Sequence, residues 1–203
     1  MARFEQALKQ GRVAESLIAT WLRVKRGGVV VPAYEIEKSC GKGPQVFTPD
    51  NEFVSPDLIL IKDAKAIWIE AKHKSVFTWH RISSQWTTGI DLRHYFDYFH
   101  VWRATQWPVW ILFFHRESQP DQRDLRQGSP ESCPIGLFGG ELGGLLQKEN
   151  HRCAAIGSSR KEVGHGRSGM VYWAEKDLRL LATKEEVLSV ARAAGDSSWI
   201  DAA

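Results

Sequence analysis

Cysteine is scarce in this chain: three among 203 residues, an odd number with no close spacing. That usage suits a reducing compartment better than a disulfide framework. No apolar run is long enough to span a bilayer and no secretory leader is recognisable, so a soluble, intracellular, cytoplasmic protein is expected. An excess of one charge is also missing. Lys and Arg number 27 against 24 Asp and Glu, a balance too even to establish a nucleic-acid partner. Repeats and low-complexity tracts are absent. The glycine-rich, basic stretch 39–44 lacks a phosphate-loop pattern and reads as a connection. What the chain does have is apolar and aromatic bulk. It is 43% hydrophobic, with nine Trp and nine Phe, enough for one good core and for some rings to stack on bases.

The most informative stretch joins Pro56-Asp57 to Glu70-Ala71-Lys72. Asp57 opens the apolar run Leu58-Ile59-Leu60-Ile61, and Glu70 and Lys72 close the run Ala66-Ile67-Trp68-Ile69. The polar Lys62-Asp63-Ala64-Lys65 between them predicts a hairpin turn. A turn centred between Asp63 and Ala64 makes residue 57 face residue 70. Directly opposed residues share a face, and Lys72 joins them through the two-residue strand period. Two carboxylates that would repel each other on an apolar sheet call for a cation. Oxygen ligands of this kind select Mg²⁺ or Mn²⁺ over zinc, and such an ion can polarise a phosphodiester and acidify a bound water. Lys72 would position that water or offset charge building at phosphorus. An exposed ion pair is the plainer reading, but both strands read as buried. Asp50, in the other Pro-Asp pair, precedes Asn51 and Glu52 and is a turn residue.

These residues resemble the signature of the PD-(D/E)XK nuclease superfamily, which includes restriction endonucleases, Holliday-junction resolvases and many phage and mobile-element nucleases. The setting matches too: a helix and an extended run precede the motif, and a helix and another apolar run follow it. The order αβββαβ over residues 3–115 is that of the superfamily's core. The resemblance implies an α/β fold with a restriction-endonuclease-like αβββαβ core, a mixed central sheet flanked by helices, and a C-terminal strand and helix elaboration. It also implies metal ligation by Asp57, Glu70 and the Ala71 carbonyl, with Lys72 assisting the water.

The flanking segments add candidates. Residues 3–26 predict an amphipathic helix with Leu8, Ile18, Ala19 and Leu22 on one face, stopped by Gly27-Gly28. Glu15 falls on that face and needs a partner. Arg12 or Arg23 would serve; the resemblance instead places a first-helix glutamate beside the metal. A strand is expected over 28–36, with Pro32 marking an edge or bulge. Lys38 and Lys42 are candidate backbone contacts. Residues 73–81 read as a substrate-contacting loop, in which Lys74, His80 and Arg81 would meet phosphates and Trp79 a base. A second helix over 91–104 has Asp91 as N-cap. His94 and Tyr98 share one face of it, but His94 stands where relatives carry glutamine, and Tyr95, Phe96, Phe99 and Trp102 are expected to pack on the sheet. A buried strand follows over 108–114.

Residues 117–203 read as an extension packed on the core of residues 1–116, with short strands over 135–138 and 169–173 extending the sheet and a closing helix over 184–194. Cys133, His151, Cys153 and His165 match no zinc pattern, and the basic loop with Arg160, Lys161, His165 and Arg167 suits nucleic acid better. The sequence thus predicts an Mg²⁺- or Mn²⁺-dependent nuclease acting on DNA, endonuclease ahead of exonuclease, with a homodimer compatible with either. A catalytically silent nuclease-like binding or assembly module is the alternative, and a zinc-stabilised interaction domain is a third.

Overall fold

The computed structural model describes residues 2–33, 44–153 and 169–197, with side chains from residue 11 onward. Chain order begins with helix α1 (Ala2–Trp21), which widens into one π-type turn (Leu22–Arg26) and ends at Gly27. Gly27 takes φ 66°, a left-handed conformation that glycine adopts without a Cβ penalty. Strand β1 (Val29–Pro32) leads to a small hairpin of β2 (Gln45–Phe47) and β3 (Glu52–Val54), with Asp50 in its bend. Strands β4 (Leu58–Lys62) and β5 (Lys65–Lys74) then form the central hairpin. After β6 (Thr78–His80) and β7 (Gln85–Asp91) comes helix α2 (Leu92–Thr105), capped by Asp91, whose side chain accepts from the Arg93 amide at 2.8 Å. The rest comprises β8 (Val109–His115), α3 (Gln122–Arg126), β9 (Gly136–Glu141), α4 (Leu142–Leu145), β10 (Glu149–Cys153), β11 (Met170–Ala174), β12 (Arg179–Ala182) and α5 (Lys184–Ala193).

The main sheet has six strands in the order β1-β4-β5-β8-β9-β12. Only β5 and β8 run parallel, because α2 makes the crossover between them; every other pair is antiparallel. The fold is therefore mixed α/β with a mixed central sheet. Along this sheet the chain runs α1, β1, β4, β5, α2, β8, and Pro32 sits on the edge strand, where its missing N–H costs no ladder bond. Helices α1 and α5 cover one face, where Leu17 and Ile18 of α1 join Leu58, Ile69, Leu112 and Phe114 of the sheet in one core. The other face, over Trp68, Ile111 and Phe113, is covered by α2 and by a second, four-stranded sheet, β10-β11-β7-β6.

That second sheet corrects two expectations. The strand expected over 169–173 does not extend the main sheet but pairs with β7, while β9 and β12 are the strands that extend it. Residues 73–81 are not a loop either. His73 and Lys74 finish β5, residues 78–80 form β6, and Phe77 is fully buried. The Trp79 amide donates to the buried Asp124 carboxylate at 3.0 Å, which fixes β6 against α3. In α2 the packing face is Tyr95, Tyr98 and Val101. Phe96, expected against the sheet, is 48% exposed, because the three- and four-residue spacings from Tyr95 take the core positions.

Candidate active site

The β4–β5 turn sets the geometry. Asp63 and Ala64 both adopt positive φ, 49° and 58°, the backbone of a two-residue hairpin loop whose twist matches the strands. Lys62 pairs with Lys65 and Leu58 with Ile69. Continued by one residue, this register sets Asp57 opposite Glu70, as the sequence predicts.

Strand β5 then outruns β4. Beyond Glu70 it remains paired with β8 on one edge, through Lys74 and His115, while β4 has ended on the other. Asp57 fills part of that opening: its Oδ2 accepts from the Ala71 amide at 2.9 Å. The N–H and C=O of one strand residue point to the same edge, so the Ala71 carbonyl also faces the opening beside Asp57.

The electrostatics here are costly. Glu70 is fully buried, and neither carboxylate oxygen has a well-formed hydrogen-bond donor; its neutralising partner is the Lys72 ammonium, ion-paired to Oε1. Burial, and then the Glu70 charge, push the Asp57 carboxyl up to about 7, against the pull of Lys72 and the Ala71 N–H. Glu15 in α1 is likewise raised to about 7, by burial and then by Asp57, with Lys72 and more weakly Arg12 opposing. Glu15 is thus coupled to the acid pair across the end of the sheet. Burial works against the Lys72 ammonium, but Glu70 and Asp57 outweigh it and hold the group above its ordinary range. The Tyr98 phenol, buried on α2, lies within range of Glu70 and Asp57 and is driven well above its usual value by burial and then by those charges. The His94 ring stands 5.8 Å from Tyr98, and burial, then Lys72, keep it toward the neutral form.

A cavity of about 510 Å³ opens beside this cluster, lined by Glu15, Lys72, Lys74 and Arg116 among others. Lys74 loses basicity, to about 8, through burial and the nearby Lys72 charge. Arg116 is placed by its backbone, whose N–H donates to the Lys74 and Ser75 carbonyls, and its guanidinium bonds Glu117 at 3.0 Å. The cavity therefore gathers Glu15, the Lys72 and Lys74 cations and the Arg116–Glu117 pair beside the Asp57–Glu70 carboxylates.

The remaining candidates lie elsewhere. His80 bonds Ser83 at 2.8 Å and stacks on His151, and Arg81 is exposed in the β6–β7 turn. Cys133 is buried, with its thiol directed to the Glu117 carbonyl, and His151 is sandwiched between His80 and Tyr172. Lys38, Lys42, Arg160, Lys161, His165 and Arg167 fall outside the described residues. Among the described residues no three His, Cys, Asp or Glu side chains are gathered as a ready metal-ligand set. Asp57 and Glu70 instead form a pair with Lys72 beside them. Sequence reasoning passed over Arg116 and set Tyr98 aside. The parallel β5–β8 register brings Arg116 to Lys74, and no local sequence signal encodes that pairing. For Tyr98, the spacing from His94 was the available signal.

Comparison with protein-family models, curated proteins and solved structures gave no match.

Proposed function

We propose that this chain is a divalent-metal-dependent nuclease of PD-(D/E)XK type with a restriction-endonuclease-like core, hydrolysing phosphodiester bonds in DNA. The observation that carries the reading is the opposition of Asp57 and Glu70 at the open end of the β4–β5 hairpin, with Lys72 on the same strand ion-paired to Glu70. The donor set fits a hard cation: two carboxylates, one with both oxygens buried, and a backbone carbonyl facing the same opening. Asp57, Glu70 and the Ala71 carbonyl would hold Mg²⁺ or Mn²⁺, with Glu15 supporting from α1. When bound, the ion supplies charge to polarise a phosphodiester and lowers the pKa of bound water.

The chain's own groups do the rest. Lys72, freed from neutralising Glu70 alone, presents an ammonium to the attacking water or to the phosphate oxygens. Lys74 and Arg116 line the cavity wall and position the neighbouring backbone phosphate. The buried Tyr98 phenol keeps Glu70 oriented. One observation favours the alternative of a silent nucleic-acid-binding or assembly module: Lys72 already neutralises Glu70, and two carboxylates are fewer than a typical metal cage.

Cleavage separates the two readings. Supercoiled plasmid, linear duplex, single strand and four-way junction are each incubated with Mg²⁺, Mn²⁺ or EDTA, alongside Lys72→Ala and Glu70→Gln. Metal-dependent cutting that is lost in both folded variants supports the nuclease. Retained DNA binding without cutting under any condition favours the silent module.

A further inference from the structure

A second cavity lies on the α1 face of the sheet, toward the turn end of β4 and β5 and away from the acid pair. Its walls are Trp21, Leu60, Ile69 and Trp110, and its volume is about 360 Å³, within the range of small-molecule sites. Three cations rim it, Arg26, Lys62 and Arg179, and among the described residues no Asp or Glu lines it. Two of the cations are seated on the aromatic walls: the Arg26 guanidinium is 5.2 Å from the Trp21 ring centre and the Arg179 guanidinium 5.9 Å from that of Trp110. Lys62 gives one proton to the Arg26 carbonyl at 2.7 Å, which leaves two to donate.

Trp21 adds an independent observation. It is only 3% exposed, and its indole N–H is buried without an acceptor. Such a donor costs free energy when left unpaired, and native structures seldom tolerate it without a reason. Pairing it takes a turn of the indole toward the cleft, where a ligand oxygen would accept.

We infer that this cleft binds a small organic carboxylate with a flat or branched apolar body, the body lying between Trp21 and Trp110 and the carboxylate meeting Arg26, Lys62 and Arg179. The lining decides the class. Between the cationic rim the walls are Leu, Ile and Trp side chains, so the polar edges of a nucleobase would be buried without partners, at a cost that an aryl or branched-alkyl body does not incur. The anionic head is matched by a rim of one sign. This site is independent of the proposed nuclease activity, since it shares no lining residue with the acid end of β5.

The test is titration of the full chain with 1-naphthoic acid, its methyl ester and adenosine monophosphate, followed by calorimetry and by the indole N–H signals in ¹H–¹⁵N spectra, with Trp21→Phe assigning the Trp21 signal. The acid should bind with Kd of about 1 mM or tighter and move the Trp21 indole signal. The ester and the nucleotide should each bind roughly tenfold or more weakly. The exposed pair Arg26→Gln/Arg179→Gln should lose about tenfold in affinity for the acid, and Leu181→Trp, which fills the cleft, should abolish binding. Absence of binding by the acid would overturn the proposal. So would equal binding of acid and ester, preference for the nucleotide, or an unmoved Trp21 signal in the presence of binding.

Discussion

The two ends of β5 obey different rules. Toward the turn, Ile67 and Ile69 pack on the α1 face beside Leu60 and Leu112, where burial of carbon is its own justification. One residue beyond Ile69 the same strand buries Glu70, pairs it with Lys72 and sets its charge against Asp57, which in turn raises Glu15. Hydrophobic residues of similar volume would hold that end at least as well. Folding therefore accounts for the first end but not the second, and the second is where chemistry is expected.

The largest expected effect is on activity. Lys72→Ala should reduce metal-dependent DNA cleavage at least a hundredfold, the range for loss of a group assisting proton transfer, while far-ultraviolet circular dichroism stays native. Unchanged cleavage would break the contrast at its most telling residue.

A stability pair sharpens it next. Lys72→Met in EDTA leaves the buried Glu70 charge alone and should cost about 3 kcal/mol in urea unfolding. The double variant Glu70→Gln/Lys72→Met should recover most of that loss, because the charge leaves with its partner. At the turn end, Ile67→Val should cost only about 1 kcal/mol and show no dependence on metal or pH.

The pH dependence follows from the same contrast. Asp57 has a folded-state pKa of about 7 against an ordinary 3.8, so the folded state holds the proton more tightly than the unfolded chain. The associated stability is complete below about pH 4 and is lost as pH rises through about 7. In EDTA, Asp57→Asn should match the wild type at pH 4 and exceed it by a few kcal/mol at pH 8, partly because Glu15 is relieved as well. Mn²⁺ at pH 8 should stabilise the wild type and leave the variant unmoved. A flat difference across this range in EDTA would show that the acids are not strained.

Much of this contrast was legible in the sequence because it is local. A turn of fixed length sets the register, and register alone brings Asp57 to Glu70. The first helix, its stop at Gly27, the Asp91 cap and the closing helix are local signals too. The second sheet was not legible, since β7 and β11 lie some eighty residues apart: residues 169–173 read as a short strand of the main sheet, and residues 85–91 gave no strand reading at all. Their close approach depends on Gly89, where a Cβ would meet the Val171 carbonyl oxygen at 2.1 Å. Tyr98 was undervalued for a related reason: in a helix this rich in aromatics, several faces are apolar enough to claim the core. Arg116 enters the site only through the parallel pairing of β5 with β8.

The smallest expected effect concerns the turn that sets the register. Ala64 pays for a left-handed conformation at φ 58°, so Ala64→Gly should stabilise the fold by about 0.5–1 kcal/mol and leave cleavage unaltered. Lost cleavage with a gain in stability would indicate that the alanine conformation itself tunes the register of Asp57 against Glu70.

On the function proposed above, the Asp57–Glu70 pair holds a divalent cation. The most direct test is a titration with Mn²⁺ followed by electron paramagnetic resonance of the free ion, on the wild type and on Asp57→Asn/Glu70→Gln, each confirmed folded. Saturable binding is expected in the wild type, competed by Mg²⁺ and absent from the double variant. Equal binding by both proteins, or none by the wild type, would contradict it.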